Sequence, residues 1–215
     1  MQIHLINLGC ARNQVDSEIM TGRLEKAGHD FTEDPAQAEA IIINTCCFIE
    51  DAASESIDTI LAAAAFKETG CCRRLIVAGC LPERYREEVR DALPEADFFL
   101  GTGAYDRIIE ALTDETPGPV PCLLPDPDHL APQTKDTPRV RPQGPMAYLK
   151  IAEGCDRQCT FCIIPRLRGC QKSRPLEDIL QEAQAMVATG IKELVLVGQE
   201  TTRYGADRPN EKKGL

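Results

Sequence analysis

No apolar run in this 215-residue sequence approaches the length of a membrane span. The longest, such as Ala40–Ile43 and Ile60–Phe66, fall far short, and the Met1–Cys10 start lacks the cationic and apolar regions of a signal peptide. A soluble chain in the cytoplasm is the expectation. Internal repeats, coiled-coil heptads and low-complexity tracts are also missing, apart from one proline-rich stretch. With 43% hydrophobic residues the chain can bury a sizeable core, and its length suits one complete domain plus part of another.

Basic residues are scarce at one end. The net charge is −10, and residues 1–112 carry 10 Lys/Arg against 20 Asp/Glu, whereas 113–215 carry 14 of each. So acidic a first half repels phosphate, which argues against nucleic-acid binding by that half unaided.

Cysteine, by contrast, is abundant, with 11 in the chain. Without an export signal these thiols are expected to stay reduced, so metal ligation or thiol chemistry is the better reading than disulfides. The only histidines are His4, His29 and His129.

Residues 1–112 alternate apolar runs with helical patterns: Ile3–Leu8 then Val15–Ala27, Ala40–Asn44 then Ser54–Phe66, Leu75–Ala78 then Tyr85–Leu93, and Phe98–Leu100 then Tyr105–Leu112. That alternation predicts an α/β domain with a parallel sheet. Residues 113–146 hold nine of the 15 prolines and show no periodicity, which reads as a linker or a wrapping strap. From Ala147 onward come a strand at Tyr148–Ala152, a cysteine-rich loop, a helix at Pro175–Thr189 and a strand at Glu193–Val197. This βαβ unit is the start of a partial (β/α) barrel over 147–215. A half-built barrel cannot close its sheet, so the natural protein is expected to continue beyond Leu215.

Two cysteine sets stand out. Cys155, Cys159 and Cys162 have the spacing C-x3-C-x2-C directly after a predicted strand. Three thiolates on one loop can bind three irons of a cubane cluster and leave the fourth iron open to a chelating cofactor such as the methionine end of S-adenosylmethionine. A zinc site is the alternative. It wants a fourth Cys or His, a place that Cys170 could fill. At the same sheet edge, Gly198, Gln199 and Glu200 end the last strand and could receive the amino group of such a cofactor, although a run of this kind is commonly just a turn.

The second set is dispersed. Cys10, Cys46 and Cys80 each follow a predicted strand, just after the small residues Gly9, Thr45 and Gly79. The carboxyl ends of parallel strands share one edge, so three cysteines distant in sequence are expected to converge there and leave one iron open to a sulfur species. Three buried or free thiols are the plainer alternative. Cys47, Cys71, Cys72 and Cys122 are read as bystanders.

Together these residues make the chain resemble the methylthiotransferases, a radical-SAM family with two [4Fe-4S] clusters. The resemblance runs through Leu8–Asn13, Val15–Glu18, Asn44–Cys46, Glu55–Ile57, Ala78–Leu81, Ala147–Cys155, Arg168–Gly169 and Ser173–Pro175. Within the family, Tyr148–Ile151, Ile164–Gly169 and Thr201–Gly205 resemble the branch that modifies an aspartate of the twelfth small-subunit ribosomal protein. The tRNA-modifying branch is the rival. Glu200 stands where the first branch usually has aspartate and the second asparagine.

The resemblance implies that the cluster on Cys155, Cys159 and Cys162 reduces S-adenosylmethionine to a radical that abstracts hydrogen from the substrate. The cluster on Cys10, Cys46 and Cys80 would hold the sulfur, and a second S-adenosylmethionine the methyl group. An electron donor and a sulfur source are implied partners. The family also has the rest of the barrel and a small carboxy-terminal β-domain of TRAM type, so this portion alone is expected to bind a cluster better than it turns over. A non-catalytic iron–sulfur protein is the reading from a different class.

Among the charged residues, Arg166, Arg168, Lys172 and Arg174 form the only compact basic cluster, suited either to a cofactor or substrate carboxylate or to a solvated turn. Asp16 and Glu18 are expected at the amino end of a helix. Glu153, beside the cysteine loop, is open to either reading.

Overall fold

The computed structural model describes residues 1–114, 118–129, 132–140 and 142–208, and the chain divides into two compact units, Met1–Pro125 and Asp126–Leu215. In the first, β1 (Gln2–Asn7) leads into α1 (Ala11–Lys26), β2 (Asp30–Phe31) and β3 (Ala40–Thr45). Next come α2 (Glu50–Ala64), α3 (Phe66–Thr69), β4 (Arg74–Gly79), α4 (Cys80–Tyr85), α5 (Glu87–Ala92), β5 (Phe98–Leu100), α6 (Ile108–Thr113) and β6 (Cys122–Leu123).

All six strands are parallel, in the order β2-β1-β3-β4-β5-β6. β3 reads Ala-Ile-Ile-Ile-Asn-Thr and is buried throughout, as a strand covered on both faces must be. On one face Met20 and Leu24 of α1 and Ile108 and Leu112 of α6 pack with Ile42, Ile76 and Phe98. On the other, α2 lies against β3 and β4. The strand order reverses between β1 and β3, which opens a crevice beyond their carboxyl ends, where open α/β sheets take ligands.

The parallel-sheet expectation therefore holds, with local corrections. The helix expected over Tyr85–Leu93 is two short helices, α4 opening at Cys80 itself, and the chain breaks between them at Arg86 (φ 51). There the Arg86 guanidinium binds Glu83 at 3.0 Å and the Leu124 carbonyl at 3.1 Å. Asp16 and Glu18 are not at the amino end of their helix. α1 starts at Ala11, so both fall one turn further in and are buried, Glu18 accepting from Gln14 Nε2 at 3.1 Å.

The proline-rich segment read as a linker adds β6 to the first sheet, Phe99 pairing with Cys122, and supplies a 3-10 turn at Pro127–His129 to the second unit. Residues 115–117, 130–131 and 141 of that segment lie outside the described ones.

The second unit contains β7 (Met146–Lys150), β8 (Ala152–Glu153), α7 (Ile164–Arg168), β9 (Lys172–Ser173), α8 (Leu176–Ala188) and β10 (Glu193–Val197). β7 and β10 pair in parallel, and Leu149 and Ile151 pack on Ile179 and Met186 of α8. The strand expected over Tyr148–Ala152 is divided. After Lys150 the chain leaves β7, and Ala152–Glu153 pairs antiparallel with β9. Among the described residues no helix is long and apolar enough to cross a membrane.

Candidate metal centres

In the first unit the register aligns Asn7 with Asn44 and Thr45 with Gly79, so Cys10, Cys46 and Cys80 leave three adjacent strands at one edge of the sheet. Gly9 has φ 100, and a Cβ there would lie 2.8 Å from Cys46 Cβ and 3.2 Å from its Sγ. Cys46 thus packs directly on the backbone beside Cys10. Gly79 also has φ 100, and a side chain there would strike Asn44 Oδ1 at 2.5 Å and the Thr45 carbonyl at 2.7 Å. Cys10 is exposed, Cys46 half-buried and Cys80 buried.

Polar side chains hold each of these corners. Ser56 of α2 binds both the backbone N–H and the carbonyl of Cys46. Thr45 Oγ1 donates to the Ala78 carbonyl at 2.6 Å and accepts from Leu81 N at 3.1 Å, fixing the β4–α4 corner that carries Cys80. Asn13 lies against Cys10, whose Sγ is 3.9 Å from Asn13 Oδ1. Ser56 and Thr45 are fully buried and Asn13 nearly so; in sequence they stand out only as members of the runs Glu55–Ile57, Asn44–Cys46 and Leu8–Asn13, with nothing to show that they hold these corners.

Cys47, expected to point elsewhere, is buried against the Cys80 backbone. Its thiol donates to the Cys80 carbonyl at 3.0 Å, and burial, with Cys80 adjacent, pushes it up to about 12, so it remains a neutral donor. Cys71 and Cys72 precede β4 and sit at the opposite edge. Cys122 belongs to β6, where burial pushes its thiol up to about 11.

In the second unit Cys155 follows β8 and is buried, its N–H donating to the Gly169 carbonyl at 3.0 Å. The Arg157 N–H points at Cys155 Sγ at 3.4 Å. A turn closed by Cys162 N to the Cys159 carbonyl at 3.0 Å carries the other two thiols, Cys159 exposed and Cys162 half-buried. Gly154 is obligatory, because at φ 77 a Cβ would lie 2.0 Å from the Cys170 carbonyl. Cys170 itself directs its thiol to Asp128 Oδ2 at 3.5 Å.

Gly198, Gln199 and Glu200 follow β10 beside this loop. Gln199 Nε2 donates to Glu153, and Glu200 pairs with Arg157 at 3.4 Å while capping the next turn through Thr202. Glu153 also binds Lys150 at 2.7 Å and lies 3.5 Å from Arg168. Burial would raise its carboxyl, but the two cations and the Gln199 amide hold it well below the usual carboxylate range.

The basic cluster is not a solvated turn. Arg174 is 1% exposed, pairing with Glu182 at 2.6 Å and donating to the Lys150 carbonyl at 2.6 Å, and Arg168 is buried too. Lys172 reaches the Pro127 carbonyl, and only Arg166 faces solvent.

Among the described residues no three His, Cys, Asp or Glu side chains converge as a single ion requires. A cubane cluster distributes its thiolates over separate irons, whereas zinc gathers four ligands at one point.

Residues 2–101 match the family model described as uncharacterized protein family UPF0004, and residues 149–211 match the radical SAM superfamily. A ribosomal protein uS12 methylthiotransferase RimO from Desulfosudis oleivorans is 58% identical over 96% of this chain and 47% of its own length. Its counterpart from Myxococcus xanthus is 46% identical over 98% of this chain and 44% of its own. The chain thus spans about half the length of the curated relatives it matches. The radical S-adenosylmethionine methyltransferase TsrM from Kitasatospora setae shares the fold, with a TM-score of 0.56 over 93% of this chain and 48% of TsrM at 13% identity. By these matches, joined to the two cysteine sets and the parallel sheet, the chain is similar over nearly its whole length to RimO-type methylthiotransferases, and its residues 149–211 to the radical SAM superfamily.

Proposed function

We propose that this chain carries the two cluster-binding sites of an enzyme that adds a methylthio group to the β-carbon of an aspartate of ribosomal protein uS12 in the cytoplasm. The observation that carries the reading is the pairing of two differently built cysteine sets in one chain. One is assembled from three adjacent strand ends and the other lies on a single loop. The names of the relatives support the ribosomal-protein substrate, and the acidic first half supports a protein target over bare tRNA.

In this reading Cys10, Cys46 and Cys80 hold one [4Fe-4S] cluster and Cys155, Cys159 and Cys162 the other, with S-adenosylmethionine beside Gly198, Gln199 and Glu200. Bound there, these groups supply reductive radical chemistry, sulfur and methyl. The protein's part is placement. Gly9 and Gly154 let backbone come close to the thiols. Lys150 and Arg168 clamp Glu153, which holds the Gln199 amide, and Arg157 ties the cysteine loop to Glu200. An electron donor and a sulfur source complete the system.

The test is anaerobic reconstitution followed by incubation with small ribosomal subunits and, separately, with tRNA. A methylthio mass increment on the uS12 aspartate peptide is expected, and methylthiolated tRNA alone would overturn the substrate. Iron is expected to fall from about eight to about four per chain when Cys155, Cys159 and Cys162 are changed to alanine. A parent that binds zinc instead would overturn both clusters.

A further inference from the structure

We propose that Asn13 is a positioning residue for the first cysteine set: its side-chain amide joins the two strand ends that carry Cys10 and Cys46 and so sets the spacing of their thiols. The inference rests on the reading that these two residues, with Cys80, hold a cluster.

The ladder between β1 and β3 ends with the bond from Leu8 N to the Asn44 carbonyl at 2.9 Å. Beyond it the backbones part, because Gly9 turns at φ 100 into α1 while β3 runs on to Cys46. Carbonyls at a covered sheet edge need donors of their own where the ladder ends. Asn13 Nδ2 donates to the carbonyls of Leu8 and Thr45, at 2.9 Å each, so its two amide hydrogens bridge the gap that the backbone leaves open.

That bridge fixes the rest of the side chain. With Nδ2 committed, Oδ1 must face Cys10 Sγ. The amide also lies under Gly9, since a Cβ at that position would be 3.2 Å from Nδ2. Asn13 is itself anchored, its carbonyl accepting from Asn44 Nδ2 at 2.9 Å, and it is 1% exposed. Aspartate has the same size but no hydrogens to donate, and serine has only one. The bridge therefore needs the amide.

The test compares the parent with Asn13→Ala and Asn13→Asp. Cluster-free protein is treated with the short bis-alkylating reagent dibromobimane and the linked peptides are mapped by mass spectrometry. Each variant is expected to lose the Cys10–Cys46 link several-fold, while links within the Cys155, Cys159 and Cys162 loop and the far-ultraviolet circular dichroism stay at parent levels. In a Cys155→Ala, Cys159→Ala, Cys162→Ala background, the same variants are expected to lose most of the remaining iron or change its electron paramagnetic resonance spectrum. Parent-like linking and an unchanged spectrum in both variants would overturn the proposal. If the link is lost in the variants but the parent background binds no iron, Asn13 keeps its positioning role and the cluster reading falls.

Discussion

Ser56 Oγ accepts from the backbone N–H of Cys46 at 3.1 Å and donates to the carbonyl of the same residue at 2.7 Å. One hydroxyl thus closes both backbone groups of a cysteine that has just left its strand. Because Ser56 is fully buried, Ser56→Ala leaves Cys46 N without that partner, and a loss of about 1–3 kcal/mol is expected. Thermal unfolding of the cluster-free protein would measure it. A variant as stable as the parent would mean that the corner is held elsewhere.

Gly154→Ala should be far more damaging than its size suggests. The added carbon would lie 2.0 Å from the backbone carbonyl of Cys170, at a φ of 77 that side chains rarely adopt. Neither partner is a flexible side chain, so a cost of about 3 kcal/mol or more is expected, with loss of iron from the adjoining loop. Chemical denaturation and iron analysis check both parts.

The buried Arg174 is a structural cation. Arg174→Met removes a 2.6 Å ion pair with Glu182 and leaves that carboxylate to Arg139, also at 2.6 Å. With one cation remaining, a loss of about 2–3 kcal/mol is expected, and removing Arg139 as well should cost more than the sum of the single changes. A double-mutant cycle followed by denaturant melts measures the coupling.

Glu83 carries a pH signature. Burial raises its carboxyl above the ordinary glutamate value, against the pull of Arg86 and the hydrogen bonds from Thr102. The folded state then binds the proton more tightly than the unfolded one. Its contribution to stability is fully present below the unfolded value and is lost as pH rises through the folded one. Glu83→Gln removes this dependence, so the difference in melting temperature should move in favour of the variant between acid and neutral pH. A constant difference would contradict the assignment.

Which parts of this were legible in sequence follows from what is local. Runs such as Ile41–Ile43 and Leu75–Val77 were legible as strands because they are short, rich in β-branched residues and alternate with helical patterns. The C-x3-C-x2-C loop and the cysteines after three strands are likewise local patterns, and parallel pairing makes their common edge follow.

Other features depended on partners far along the chain. β6 exists because the Phe99 N–H finds the Pro121 carbonyl, which no pattern in a proline-rich stretch announces. Arg168 and Arg174 read as a basic surface because charge is visible in sequence, whereas Glu153 and Glu182, which neutralise them, are identified only by packing. The sequence by itself determined the α/β order, the two cysteine sets and the glycines before them. The tertiary structure alone decided which buried polar groups meet, since Asn13, Thr45 and Ser56 acquire their roles only when strand ends and helices from distant segments leave unpaired backbone groups within hydrogen-bond reach.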